Sequence, residues 1–449
     1  MKYYSTNNNA PLVNLHEAVV KGLAPDRGLY MPETIKSLPC SFFDSIDKLS
    51  FQEIAYTVAD ALFGEDIDGD CLRKIVYDTL NFECPVVKVS DNIYTLELFH
   101  GPTLAFKDVG ARFMARLLQY FINKENATEG RQQQVNVLVA TSGDTGSAVA
   151  NGFLGVDGIH VYVLYPKGKV SAIQESQFVT LGRNITAIEV DGVFDDCQTL
   201  VKNAFMDEEL NSRLKLTSAN SINVARFLPQ SFYYFNAYAQ MKRAGLEKDL
   251  VICVPSGNFG NICAALIAKR MGLPVKRFIA ANNSNDVFLH YLNTGNYEPQ
   301  PSIQTVANAM DVGAPSNFAR ILDLYGKSHS AITQDISGFA YDDEQIKAGM
   351  RQCHDLYGYV LDPHGACGWL ALRQGLDEHE VGVFCETAHP AKFKQTVDET
   401  IKADIPIPKR LAAFMKGQKQ SVPMPNSFEA LKKLLLSQLK MKPINIKLL

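Results

Sequence analysis

The stretch DLVICVPSGNFGNICAALIAKRMG, residues 249–272, decides the fold. It opens with an unbroken apolar run of strand length, passes through a loop holding two glycines, and continues as an apolar segment of helix length. A run with no polar alternation reads as a strand buried on both faces, and a strand that turns straight into a helix is half of a βαβ unit. In sheets built from such units, ligands sit beyond the carboxyl ends of the strands. The loop PSGNFGN therefore becomes the first place to look. Gly257 and Gly260 let backbone approach a ligand closely, and the amides that open the helix have no internal partners. With the helix dipole they make an anion site suited to phosphate, and Ser256 and Asn258 are expected to add side-chain donors. A tight turn that needs glycine for geometry alone remains the competing reading. No Lys-Ser/Thr pair follows the glycines, and the G-x-G-x-x-G spacing is missing, so neither a Walker A loop nor a dinucleotide fold is indicated.

The same unit recurs outward from this stretch. QVNVLVA, IHVYVLYP, ITAIEV and VKRFIAANN read as strands; GARFMARLLQYFINK and ESQFVTLG read as helices. The expected fold class is α/β: two open parallel sheets of βαβ units with helices on both faces, preceded by a mostly helical N-terminal region. There, SFQEIAYTVADALFG has helical spacing, Ser50 with Glu53 forms a capping-box signature, and Gly64 is a plausible stop. The expected division is 1–90 as a helical cover, 91–125 with 220–403 as a large domain, 126–219 as a small α/β domain and 404–449 as a C-terminal extension. Residues 283–345 give no clear periodicity. The tail is rich in Pro and Lys before a short helix in SFEALKKLLLSQLK.

Composition narrows the function class. A chain of 449 residues with 46% hydrophobic and 20% charged residues is long enough for two or three cores of a globular enzyme. A net charge of −4 without a basic stripe argues against nucleic acid as a partner. The longest apolar runs are too short to span a bilayer, and MKYYSTNNNAP has no apolar signal core, so no membrane partner and a cytoplasmic location are expected. Nine cysteines, none in CxxC spacing, argue against a disulfide framework or a structural metal site.

Three further segments carry candidate chemistry. In ATSGDTGSAVA, Thr141, Ser142, Thr145 and Ser147 crowd hydroxyls around Gly143 and Gly146 at a second strand–helix junction. Such a loop can hold a carboxylate or phosphate, or can simply cap its helix. In FHGPTLAFKDVGARF, Lys107 stands among Leu104, Ala105 and Phe106, either packed or kept dry as a nucleophilic amine. In VGVFCETAHPAKF, Thr387 lies at the end of a strand, where its hydroxyl can face a heterocycle nitrogen or cap the next helix.

HGPTLAFKD, ATSGDTGSA, PSGNFGN and TAHPAKF, in that order, with GLAPDRGLYMP near the N-terminus, resemble the threonine synthase family. These are pyridoxal-phosphate enzymes of the tryptophan synthase β-like fold (fold type II), and the likeness runs from about residue 22 to about residue 394. The resemblance implies pyridoxal 5′-phosphate as cofactor and Lys107 as the lysine that forms its Schiff base and then acts as general base. It implies that the loop Ser256, Gly257, Asn258, Phe259, Gly260 and Asn261 holds the cofactor phosphate and that Thr387 faces the pyridine nitrogen. Thr141, Ser142, Gly143, Asp144 and Thr145 would contact the substrate carboxylate and the ring face, and Arg27 and Arg112 the substrate phosphate. The implied reaction turns O-phospho-L-homoserine and water into L-threonine and phosphate, the last step of threonine biosynthesis, a carbon–oxygen lyase acting on a phosphate ester. Many members of the wider fold family carry Asn at the position of Asp144, where it touches the ring oxygen; an aspartate would be repelled by a phenolate there unless protonated or turned away.

A lysine of ordinary pKa, ~10.4, is a poor nucleophile, and partial desolvation beside Phe106 would lower that value. Water must be kept out until the reactive stage, and the segment around Arg27 to Tyr30 is expected to cover the site. Two other readings share these residues: another lyase of the same fold, such as a threonine dehydratase or a phospho-lyase, and a phosphate-ligand-binding protein without catalysis. His364 reads as a satisfied turn residue, His100 as packing beside the lysine loop, and Trp369 and FLPQSFYYFNAYA as core. Asn220, Asn223 and Arg226 are weaker candidates for the ligand. The sequence carries no sign of oligomeric state.

Overall fold

The computed structural model describes residues 1–129 and 134–437. Its strands in chain order are β1 (Lys2–Ser5), β2 (Val13–Asn14), β3 (Tyr30–Pro32), β4 (Val86–Lys88), β5 (Ile93–Glu97), β6 (Val135–Ala140), β7 (Ile159–Pro166), β8 (Ile185–Asp191), β9 (Lys215–Ser218), β10 (Leu250–Pro255), β11 (Arg277–Asn282), β12 (Ile336–Ala340), β13 (Val381–Glu386) and β14 (Ser421–Pro425).

Two open sheets carry the architecture. The larger runs β12-β11-β10-β13-β5-β4, parallel except for the antiparallel hairpin partner β4. The smaller runs β14-β8-β7-β6-β9 and is parallel throughout. The apolar runs that signalled strands are the central ones: β6 and β10 are buried along their whole length, as helices on both faces require. In the small sheet the chain leaves β6 toward β7 and β8, then returns to place β9 on the other flank. In the large sheet it leaves β10 toward β11 and β12, then returns to place β13 on the other flank. Each sheet thus has its topological switch point at the strand that precedes a glycine loop, β6 for 141–147 and β10 for 256–261.

The helix Lys107–Glu129 begins at the candidate lysine and packs against the helix Asp144–Phe153 of the small sheet. A Cβ on Gly152 would come within 3.1 Å of the Ala111 backbone, so the two helices meet nearly backbone to backbone. The helix Ser231–Arg243, which takes up most of FLPQSFYYFNAYA, is buried almost all round, and Trp369 is fully buried, as expected of core.

The N-terminal region is mostly helical, as expected, and adds a feature the sequence did not signal: β1, β2 and β3 form a small antiparallel sheet, because Tyr3, Val13, Tyr30 and Met31 bury one set of side chains through very short strands. The capping box does form, with Glu53 N–H donating to Ser50 Oγ at 3.3 Å and Ser50 N–H to Glu53 Oε2 at 2.8 Å, and Gly64 follows the last turn. The stretch 283–345 contains β12, whose Gly338 and Ser337 hid the strand signal; its place is set by pairing with β11. The tail packs on the small sheet: β14 lies parallel against β8, and the helix Phe428–Ser437 buries Leu431 and Leu435. The end of the expected terminal helix, 438–440, lies outside the described residues.

Candidate active site

The lysine loop is built before the lysine. Asp108, buried, accepts from Thr103 N at 2.9 Å and from Thr103 Oγ1 at 2.6 Å, which folds 103–108 back on itself. A Cβ at Gly101 would lie 2.4 Å from Asp108 Oδ2, so the turn needs glycine there. Leu104 takes the left-handed conformation (φ 58°), a backbone cost that surrounding structure must hold in place. The loop is then pinned to the end of β13: Phe106 N–H donates to Thr387 O at 2.8 Å, His389 N–H to Leu104 O at 3.0 Å, and Ala105 bridges Ala388. The Tyr233 hydroxyl donates to Phe106 O.

Lys107 therefore emerges at the carboxyl edge of the large sheet with its ammonium 5.5 Å from the centre of the Phe106 ring. Among the described residues it has no hydrogen-bond or ion-pair partner. Burial pushes its pKa down to about 8; Asp144 pulls it back up, while Lys392 and Arg226 press it lower. At pH 7 roughly one such lysine in ten is neutral, against well under one in a thousand for a lysine of ~10.4.

The loop after β10 is an anion cradle. Phe259 is left-handed (φ 62°) and caps the helix Gly260–Arg270 without a side-chain bond. Among the described residues no protein acceptor takes the N–H of Gly257, Asn258, Phe259, Gly260 or Asn261, so five successive amides are available at a helix N-terminus. A Cβ on Gly257 would meet Met310 Cα at 2.6 Å and Ala309 O at 2.8 Å, so the loop lies tight on 309–310. The side chains do other work than expected. Ser256 Oγ bonds Val254 O and Asn261 Oδ1, and its N–H goes to Ala281 O. Asn258 accepts from Ser316 N and donates to Ser221 Oγ. Both shape the loop and leave ligand binding to backbone.

The loop after β6 divides its labour similarly. Thr141 Oγ1 accepts from Gly143 N at 2.9 Å and Gly146 N at 2.8 Å, so this hydroxyl shapes the turn. Gly143 sits at φ 144°, and a Cβ there would meet Gln174 at 2.6 Å. Ser147 bonds Gly143 O and Gln174 O. The hydroxyls of Ser142 and Thr145 make no bond among the described residues, nor do the amides of Ser142, Asp144 and Thr145. Those groups, at the start of a ten-residue helix, are the available donors.

Asp144 is fixed by a residue that sequence reasoning passed over. Lys392, fully buried, lies 2.6 Å from Asp144 Oδ1, and Gln174 Nε2 donates to the same oxygen at 2.9 Å. Burial alone would push the Asp144 carboxyl up; the charges of Lys392 and Lys107 override it and hold it well below its ordinary range. The aspartate is ionised and paired, which answers the difficulty of a carboxylate beside a phenolate. Lys392 lies in TAHPAKF, in an apolar setting like that of Lys107, and that pattern was the signal available.

Thr387, nearly buried, makes no side-chain hydrogen bond among the described residues; the cap of the short helix Pro390–Phe393 is His389, so the capping reading of Thr387 does not hold. Arg112 is not at the crevice. Its guanidinium donates to Thr79 O, Asp78 O and Asn81 Oδ1, closing the end of the helix Gly69–Thr79, because those carbonyls have no helical partner. Arg27 is exposed in a left-handed turn (φ 67°), with no side-chain partner among the described residues. Arg320 ties that region to the crevice, donating to Tyr30 O, Ser221 O and Ile222 O. His364 is satisfied on both nitrogens, by Asp362 at 2.6 Å and Ala309 N at 3.1 Å. His100 pairs with Glu97 at 2.7 Å, Asn223 serves Val19 O and Ser218 O, and Arg226 bonds Ala219 O while lying in the field of Lys107. Asn220 donates to Ala140 O.

The residues present fit pyridoxal phosphate: among the described residues, one desolvated amine without a hydrogen-bond or ion-pair partner, five amides without a protein acceptor for a phosphate, and one unbonded hydroxyl at adjacent strand ends. Comparison with known proteins agrees. Residues 82–385 match the family described as pyridoxal-phosphate dependent enzyme, residues 2–80 the threonine synthase N terminus, and residues 365–435 the threonine synthase C-terminal region. The chain is 43% identical to the threonine synthase of Serratia marcescens, over 97% of this chain and 99% of that one. It superposes on the crystal structure of threonine synthase from Escherichia coli with a TM-score of 0.91 at 41% identity, covering 98% of this chain and 100% of that one. For the PLP-bound threonine synthase from Brucella melitensis the values are 0.90 and 33%, over 97% and 98%.

Proposed function

This chain belongs to the threonine synthase family, and from that premise we propose which of its residues carry the conversion of O-phospho-L-homoserine and water into L-threonine and phosphate. It is a pyridoxal-phosphate-dependent enzyme of the tryptophan synthase β-like fold. The coenzyme supplies an electron sink for the carbanion formed beside the substrate nitrogen.

Lys107 is the amine that holds the coenzyme aldehyde and afterwards takes the substrate's α-proton. The observation that carries this is the amine itself: desolvated, brought to about 8 and without a partner among the described residues, one hydrogen bond along the chain from the strand end that presents Thr387. A base with a pKa near the working pH is strong enough to accept a proton and weak enough to return it, as repeated transfers at neighbouring carbons demand. The amides of 257–261 take the coenzyme phosphate, and Thr387 offers a neutral hydroxyl to the ring nitrogen. Ser142 and Thr145, with the free amides of Ser142, Asp144 and Thr145, take the substrate carboxylate. Arg27 is the remaining candidate for the substrate phosphate; it lies on a turn held by Asp26 and three residues before Tyr30, whose carbonyl Arg320 fastens to Ser221 and Ile222.

In this reading residues 1–90 cover the site, 91–125 with 220–403 bind the coenzyme, and 126–219, joined by the tail, present the carboxylate loop. The small-molecule substrate is the partner. Among the described residues no helix is long and apolar enough to cross a membrane. All nine cysteines are free, which suits a reducing compartment such as the cytoplasm.

Borohydride reduction of the coenzyme-loaded protein, followed by peptide mass analysis, tests the assignment. The expected adduct is on Lys107; an adduct on another lysine, or none, would refute it. Product analysis separates the sister reaction, since a dehydratase yields a keto acid and ammonia in place of threonine and phosphate.

A further inference from the structure

Lys392 has no part in the roles assigned above, yet its position is costly. Its ammonium is fully buried and reaches across the crevice: the lysine follows β13 of the large sheet, and Asp144 follows β6 of the small one. A buried ion pair seldom repays the desolvation of both partners, so its retention points to a use other than stability. An ammonium has three donors. One meets Asp144 Oδ1 at 2.6 Å, one meets Thr103 O at 3.0 Å, and the third has no acceptor among the described residues. Gln174 and Ser171 brace the pair, Gln174 through the shared Asp144 oxygen and Ser171 through Lys392 O at 3.5 Å.

The chemistry of the coenzyme says what a spare buried donor beside Lys107 would meet. The aldehyde carbon of pyridoxal phosphate is flanked on the ring by the arm bearing the phosphate and by a phenolic oxygen that carries negative charge. With the phosphate on 257–261 and the aldehyde at Lys107, that oxygen falls beside the lysine nitrogen, on the flank away from the phosphate. The charged groups acting on Lys107 are Asp144, Lys392 and Arg226. Arg226 bonds Ala219 O, and its Nε, without a partner among the described residues, lies against the helix Lys107–Glu129, 3.3 Å from where a Cβ on Gly110 would stand; Asp144 has the wrong sign. We propose that Lys392 is a coenzyme-contacting residue, whose third N–H donates to the phenolate oxygen while Asp144 acts as the counter-charge that holds the ammonium there. Asp144⁻ then balances Lys392⁺, and the phenolate balances the protonated Lys107 nitrogen, which leaves Arg226 as the one further cation among the charged groups acting on Lys107. The proposal rests on Lys107 as the coenzyme's amine.

The test compares coenzyme-loaded wild type with Lys392→Met and with the double variant Asp144→Asn/Lys392→Met, which strands no buried charge and so guards against loss of fold. The readouts are the pH midpoint of the coenzyme absorbance change and the dissociation constant for pyridoxal phosphate. Lys392→Met is expected to raise the midpoint by about one unit or more, since a cation that favoured release of the Lys107-nitrogen proton is gone, and to weaken binding at least about tenfold. The double variant is expected to keep both changes in reduced size, because the direct contact is lost even though the charges cancel. Wild-type values in the double variant would overturn the contact and reduce Lys392 to neutralising Asp144. A wild type that takes no coenzyme would instead overturn the reading of Lys107, and this proposal with it.

Discussion

The backbone N–H of Phe106 donates to the carbonyl of Thr387 at 2.8 Å, which locks the residue before the candidate amine to the residue carrying the candidate ring-facing hydroxyl. Two segments nearly 300 positions apart in sequence are thereby fixed within one hydrogen bond, and the predictions below depend on how rigidly such contacts hold the crevice.

Gly257→Ala should weaken coenzyme binding while leaving the fold intact. The added methyl would lie 2.6 Å from Met310 Cα, and backbone on both sides has no easy way to yield. Overpacking of this kind costs about 1–3 kcal/mol, or roughly a tenfold to hundredfold rise in dissociation constant, read by absorbance titration against a circular-dichroism control.

Thr141→Val should destabilise the protein, whereas Thr141→Ser should not. The hydroxyl oxygen accepts from Gly143 N and Gly146 N, and valine would leave two buried donors unpaired. At about 1–3 kcal/mol for such a group, a loss on the order of 2 kcal/mol is expected in urea unfolding. KM should rise as well, since the turn presents the free donors of Ser142 and Thr145.

Arg112→Ala should lower stability by roughly 1–2 kcal/mol and leave KM for substrate unchanged, because its guanidinium serves the carbonyls at the end of the helix Gly69–Thr79. Arg27→Ala should do the reverse, raising KM with little change in melting. Steady-state kinetics and thermal unfolding of the two variants side by side separate them.

The coenzyme-free protein should gain stability as pH rises from about 8 toward about 10, relative to Lys107→Met. The folded lysine titrates at about 8 and the unfolded one near ~10.4, so in that window the unfolded chain binds the extra proton and unfolding is disfavoured. Below about 8 both states are protonated and the penalty of burying the charge is present in full. The difference should reach at most about 3 kcal/mol, measured by urea unfolding of both proteins across the range.

The central strands and both glycine loops were legible because each gives a long signal: an apolar run, then Gly and small polar residues, then a helix. The switch points followed from that order. β12 and β14 were not legible, for ISGFA and SVPMP contain Gly or Pro and owe their conformation to a parallel neighbour far away in the chain. Arg112 misled because an arginine on a helix that begins at the candidate lysine looks the same whether it faces a ligand or closes another helix. Lys392 was missed although, like Lys107, it adjoins a phenylalanine, standing between Ala391 and Phe393; what the sequence lacks is the pairing with Asp144, which exists only once the two sheets face each other.

Phosphate release from O-phospho-L-homoserine by coenzyme-saturated wild type and Lys107→Ala tests the central claim most directly. The account predicts phosphate and threonine in equal amounts from the wild type and a rate lowered about a thousandfold or more in the variant. A variant that releases phosphate within a few-fold of the wild type would contradict it.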